Sequence, residues 1–202
     1  MSSNEALIVS RADEPAQTLQ LRFLRDGYLY FKRQVAPEKC ASLLQGFLHC
    51  LAPHIEYDQA VGSPVLKGEP FFETDPIWDE VYPRMQSLYE FHNFFHEDDI
   101  QQLMQILVGE QVFVYPMKMG LIATPKKIGY ETPPHQDAHS HQAGPTMAGI
   151  WVALHDVEEG MGRLKLLPGS HRGGVRRVFQ AEGVGGVQCE IFPDENVWHV
   201  SD

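Results

Sequence analysis

The feature that most constrains this chain is a change of texture near residue 111: helical apolar spacing before it, short β-rich segments cut by proline and glycine after it. In the first half, Leu43, Leu44, Phe47, Leu48 and Leu51 recur at helical intervals between Pro37, suited to a first helical turn, and Pro53, a stop. Trp78, Val81, Tyr82, Met85, Leu88 and Tyr89 repeat the period, with Pro83 expected to kink that helix or mark its start. Asp98-Asp99 is expected to cap a third helix, carrying Ile100, Leu103, Met104 and Leu107 and ending at Gly109. Strands are expected at Tyr28 to Phe31, Val112 to Tyr115, Lys118 to Ala123, Ile150 to Leu154 and Arg163 to Leu167, the last with Leu164 and Leu166 on one face. Helices followed by strands predict an α+β fold whose core is a sandwich or barrel. The glycines at 183, 185 and 186 suggest a mobile loop; with no Lys-Ser or Lys-Thr after them they form no phosphate loop.

At 202 residues and 43% hydrophobic content, the chain has the size of one domain. The expected division is a flexible leader over residues 1–18 and a single domain over 19–202. Acidic residues outnumber basic ones 27 to 16, and the formal charge of -11, without a segregated basic patch, excludes a nucleic-acid partner from the expectations. The run Ala6 to Val9 is too short for the apolar core of a signal peptide, and no stretch approaches a membrane span. Cys40, Cys50 and Cys189 are odd in number and far apart, which fits a reducing compartment better than a disulfide framework. A soluble, cytoplasmic protein acting on a small molecule is expected, with its oligomeric state open.

Chemistry concentrates at His135-Gln136-Asp137. A ferrous site needs imidazoles and a carboxylate on one face of the ion, and on an extended strand residues i and i+2 point the same way, leaving Gln136 outward. Chance alone yields on the order of half an H-x-D in such a chain. A second copy, His96-Glu97-Asp98, lies at a helix start, where Asp98 has a capping role and the strand geometry is missing. His139 and His141 share the parity of His135, but same-face residues on a strand stand ~6.8 Å apart, which suits a facial triad badly. His139 has a substrate-pocket reading beside that of a plain loop residue, and His171 and Arg172 are expected to hold a hairpin by hydrogen bonding rather than to act in catalysis.

Context separates the two copies. Pro134-His135-Gln136-Asp137, then Trp151-Val152-Ala153-Leu154, then Gly162-Arg163-Leu164 running to Pro168-Gly169-Ser170-His171, together resemble the phytanoyl-CoA dioxygenase family of iron and 2-oxoglutarate oxygenases. Phe23-Leu24-Arg25-Asp26-Gly27-Tyr28 is similar to that family's opening, so the resemblance runs over roughly residues 20 to 175. It implies a double-stranded β-helix, a cupin-like jelly-roll barrel, flanked by helices. It implies Fe(II) as cofactor, 2-oxoglutarate and O2 as co-substrates, and hydroxylation of a small molecule as the reaction. His135 and Asp137 are implied as iron ligands and catalytic residues. Trp151 is implied to lie near the co-substrate, with core packing as its other reading, and Met117 and Met119 fall on a strand resembling the one that lines the 2-oxoglutarate pocket. The retained Asp137 speaks against a halogenase, which replaces that carboxylate, and a plain cupin-like metal module leaves the P-G-S-H hairpin without an explanation.

The family's third ligand is a histidine beyond the P-G-S-H hairpin, followed by an arginine that clamps 2-oxoglutarate. Neither segment is recognisable between Val175 and Asp202, so the expectation is a chain cut short inside its barrel, with open edges that lower stability or favour a dimer. His199, the tail's only histidine, is the candidate substitute ligand, on a short strand Val197 to Val200. A truncated or non-catalytic family member is the alternative to an active oxygenase.

Overall fold

The computed structural model describes residues 5–71, 75–109, 111–123, 132–141, 144, 147–158, 160–183, 185–192, 195 and 198–199, without the side chains of Glu5, Trp198 and His199. The strands are β1 (Glu5–Ala6), β2 (Val9–Ser10), β3 (Tyr30–Phe31), β4 (Ile55–Asp58), β5 (Ser63–Leu66), β6 (Lys165–Leu166), β7 (Val178–Gln180), β8 (Val187–Cys189) and β9 (Trp198–His199). The helices are α1 (Ala16–Asp26), α2 (Pro37–Leu51), α3 (Pro76–Gln86), α4 (Tyr89–Asn93), α5 (Asp98–Val108) and α6 (Ala138–His141), with 3-10 turns at Phe94–His96 and Ser170–Gly173.

Helix α2 forms where its spacing predicts it, with Pro37 in the first turn, and buries Leu43, Phe47, Cys50 and Leu51 on one face. Val81 and Met85 of α3 are fully buried against that face, and Phe91 meets Phe47 edge to face at 5.2 Å. Ile100 of α5 closes the same core, and Ile122, Val152 and Leu154 reach it from the second half of the chain. Helix α5 ends at Gly109, whose φ of 75° is the left-handed cap expected of that glycine. Among the described residues no helix is long and apolar enough to cross a membrane.

Three expectations need correction. Residues 5–18 are not a loose leader: Leu7 and Ser10 are buried, β1 pairs with β9 and β2 with β3, and the Ile8 N–H donates to the Tyr28 hydroxyl at 3.0 Å. The apolar run Ala6 to Val9 joins the edge-paired strands β1 and β2. Of the two expected places for Pro83, it has the one inside α3 and not the one at its start. Glu97, not Asp98, occupies the N-cap of α5; Asp98 and Asp99 lie in the first turn, where negative charge suits the helix dipole. Val112 to Tyr115, Lys118 to Ala123 and Ile150 to Leu154 join no sheet ladder among the described residues. The segment around Met117 to Leu121 docks instead on α3: Gln86 Nε2 donates to the Lys118 carbonyl at 2.8 Å, and Gly120 comes so close that a Cβ there would stand 2.6 Å from Met85 Cε.

Helices and small sheets together make an α+β fold. The one three-stranded sheet among the described residues has the order β1-β9-β6, β1 parallel and β6 antiparallel to β9, so it joins the two ends of the described chain. The pairs β2-β3, β4-β5 and β7-β8 complete the set, and no closed barrel is formed by the described residues. Gly183, Gly185 and Gly186, all with positive φ, make the turn of the β7-β8 hairpin, where the Ala181 N–H donates to the Gly186 carbonyl.

Candidate metal centre

The P-G-S-H segment is bolted to the end of α1. The Gly169 N–H donates to the Asp26 carbonyl at 2.7 Å, and His171 Nε2 donates to the Leu24 carbonyl at 2.9 Å. The imidazole lies across Gly27, where a Cβ would fall 2.2 Å from His171 Nδ1, and the φ of 78° at Gly27 also demands glycine. His171 therefore holds structure, as its place after the turn predicts.

His135 and Asp137 are brought together, though not on a strand. Residues 134–137 form an irregular turn leading into the single helical turn α6, so the i, i+2 parity of a strand is replaced by a bend that aims both side chains at one point. His135 Nδ1 donates to the Pro133 carbonyl at 2.9 Å, which fixes the tautomer and leaves the Nε2 lone pair facing Asp137. Nε2 stands 3.5 Å from Asp137 Oδ1, long for a direct hydrogen bond. Two donors each ~2.1 Å from one ion and at right angles lie about 3.0 Å apart, so a small closing motion lets this pair share a metal. Both side chains are close to half exposed, at 49% and 44%, which leaves an approach from solvent.

The electrostatics follow from the pairing. Asp137 raises the His135 imidazole above its ordinary value, opposed by partial burial, and His135 in turn lowers the Asp137 carboxyl. A proton on Nε2 and a metal compete for the same lone pair, so cation binding here weakens as pH falls through the raised imidazole value.

Gly149 passes directly beside the carboxylate, where a Cβ would stand 3.1 Å from Asp137 Oδ2. Two residues on, Trp151 is 42% exposed while Val152 and Leu154 turn into the core, so the core-packing reading of Trp151 does not hold. Met117 and Met119 are each 49% exposed, and the Tyr82 hydroxyl donates to Met119 Sδ at 3.5 Å. His139 Nε2 donates to the Arg176 carbonyl at 2.9 Å, which commits it to structure rather than to a pocket. The His199 backbone pairs between Ala6 and Lys165, and its side chain lies outside the described residues. The second H-x-D copy is a helix entry in which Glu97 pairs with Lys39 at 2.7 Å. Among the described residues, no third His, Cys, Asp or Glu joins His135 and Asp137. A cavity of about 220 Å³ beside the β4-β5 hairpin, lined by His54, Leu66, Lys67, Phe71 and Ile77, includes no predicted site residue.

Sequence reasoning missed the contacts of Gln136 and Gly149. The signal for Gln136 was an amide between two candidate ligands; for Gly149 it was a lone glycine just before an apolar run.

An imidazole held by a backbone carbonyl beside a carboxylate, presented on a turn of an α+β fold, is a nitrogen and oxygen donor pair of the kind that metal ions accept. The family model for phytanoyl-CoA dioxygenase matches residues 23–184, and the chain belongs to that family. It is similar to "Phytanoyl-CoA dioxygenase domain-containing protein 1" of Danio rerio, 28% identical over 77% of this chain and 65% of the relative. The proteins of the same name from Rattus norvegicus and Bos taurus are 32% and 36% identical, over 54% and 48% of this chain and 38% and 33% of those relatives. The chain thus spans between a third and two thirds of the length of these relatives.

Proposed function

We propose that this chain is a ferrous iron and 2-oxoglutarate-dependent oxygenase that hydroxylates a small-molecule substrate, with His135 Nε2 and the Asp137 carboxylate as two of the iron's ligands. The observation that carries the reading is the donor pair itself: an imidazole held by the Pro133 carbonyl so that its free nitrogen faces a carboxylate 3.5 Å away. Family membership supports iron as the metal, 2-oxoglutarate as the co-substrate and a jelly-roll barrel as the architecture of this reading.

With iron bound, the reaction consumes O2 and 2-oxoglutarate, releases succinate and CO2, and places one oxygen atom in a C–H bond of the substrate. This chain's residues orient that chemistry. Pro133 keeps the proton on Nδ1 of His135, and Gly149 leaves the Asp137 carboxylate uncrowded. Trp151, with Met117 and Met119, is assigned to the co-substrate side of the site. His199 is the candidate for the third ligand. The reducing cytoplasm suits Cys40, Cys50 and Cys189, which are free thiols.

The test is succinate formation from 2-oxoglutarate by the purified chain with ferrous iron and ascorbate. Oxygen-dependent succinate that disappears in Asp137→Ala supports the reading. A folded chain that makes none, or an Asp137→Ala variant as active as the parent, overturns it.

A further inference from the structure

The turn carrying His135 and Asp137 has little apolar packing to hold it: His135, Ala138 and Ser140 are exposed, and the residues between them only partly buried. It is held instead to one short stretch of backbone, residues 174–176, by Gln136, which lies between the candidate ligands, and by His139, two residues beyond them. Gln136 Nε2 donates to the Gly174 carbonyl at 3.1 Å, and its Oε1 accepts the Arg176 N–H at 2.8 Å. One primary amide thus satisfies a backbone acceptor and a backbone donor two residues apart, a pairing neither a carboxylate nor an apolar side chain can reproduce. His139 Nε2 adds a third bond, to the Arg176 carbonyl.

The stretch is itself anchored. The Arg176 guanidinium forms a two-pronged ion pair with Glu195, donates to the Glu190 carbonyl at 2.9 Å, and stacks over the Phe192 ring with its carbon 5.1 Å from the centroid. Beyond it the β7-β8 hairpin begins, and the Cys189 N–H at the hairpin's end returns to the Pro134 carbonyl at 2.6 Å, one residue before His135. The ligand turn is therefore fastened at Pro134, Gln136 and His139, on both sides of the two donors.

We infer that Gln136 and His139 are positioning residues which, through the 174–176 backbone, hold His135 and Asp137 near enough to each other for one metal ion to draw them together. This rests on the ligand roles proposed above for His135 and Asp137. Outer residues that orient metal ligands typically change metal affinity by ~10–100-fold when removed. The strap acts on the turn as a whole, so its loss leaves both donors present but lets their separation vary.

Two readouts on the full chain decide it. The first is amide hydrogen exchange at Arg176 without metal, protected in the parent and accelerated at least ~10-fold in Gln136→Met, which keeps side-chain length but loses both bonds. The second is anaerobic cobalt(II) titration followed by the ion's visible absorption, with Gln136→Met expected to bind ~10–100-fold more weakly at an unchanged metal-free melting temperature. His139→Gln, able to donate from the same position, should bind within ~3-fold of the parent, while His139→Ala should not. Cobalt affinity in Gln136→Met equal to the parent's, or a parent Arg176 amide that exchanges freely, overturns the strap while leaving the ligand reading intact. A protected Arg176 amide in a parent chain that binds no cobalt overturns the ligand roles, and the positioning role with them.

Discussion

Residues 5–109 and residues 111–199 are held together by different means. In the first region, Leu19, Val81 and Met85 are sealed from solvent, and Phe47, Phe91, Phe94 and Ile100 share one core with Val81 and Met85. In the second, Cys189 is the buried apolar residue among those described, whereas Phe113 is 83% exposed and Leu121 58%. That region is fastened by directed bonds: Gln136 and His139 to residues 174–176, His171 to Leu24, Gln86 to Lys118. The candidate metal centre thus sits in the region with the least packing, where geometry depends on a few polar contacts, as at other binding loops carried by a more rigid scaffold.

The contrast predicts unequal responses to truncation. Met85→Ala should destabilise the chain by about 2–5 kcal/mol in urea unfolding, through lost burial and the cavity left among Phe47, Val81 and Gly120. Phe113→Ala should change stability by less than ~0.5 kcal/mol. Equal losses at the two sites would erase the distinction. At the seam between the regions, Gly27→Ala should cost about 1–3 kcal/mol, because the added Cβ meets the His171 ring in a left-handed backbone. If His171→Ala relieves most of that cost in the double variant, the seam is confirmed as a steric fit.

The smallest effect should appear in acid. Arg22 holds the Glu14 carboxyl at about 2, well below its ordinary 4.5, and also donates to Ser10 Oγ. A depressed carboxyl contributes stability above its unfolded value and loses it as pH falls through the folded one. Glu14→Gln should therefore flatten the decline of melting temperature between pH 4.5 and 2, by little, since both partners are partly exposed.

What was legible in the sequence divides along the same line. The buried face of α2 and the Gly109 cap follow from local spacing and chemistry, and both form as read. The pairing of His135 with Asp137 was legible as two side chains close in sequence, though a turn achieves it rather than a strand. The partners of Gln136, Gly149, Gly27 and His171 were not, because each contact joins segments whose approach is set by tertiary packing and leaves no periodic trace. Strand propensity at Val112 to Tyr115 and Ile150 to Leu154 was real but needed a pairing neighbour, and Val152 and Leu154 spend their apolar surface on the helical core instead.

Joint ligation of one ferrous ion by His135 and Asp137 is open to anaerobic titration of the purified chain with iron and 2-oxoglutarate. Performed well above the raised imidazole value of His135, it should produce the weak visible charge-transfer band of iron-chelated 2-oxoglutarate, lost in both His135→Ala and Asp137→Ala. A band that persists in either variant, or no band from a folded parent chain, would mean that the two residues do not ligate iron together.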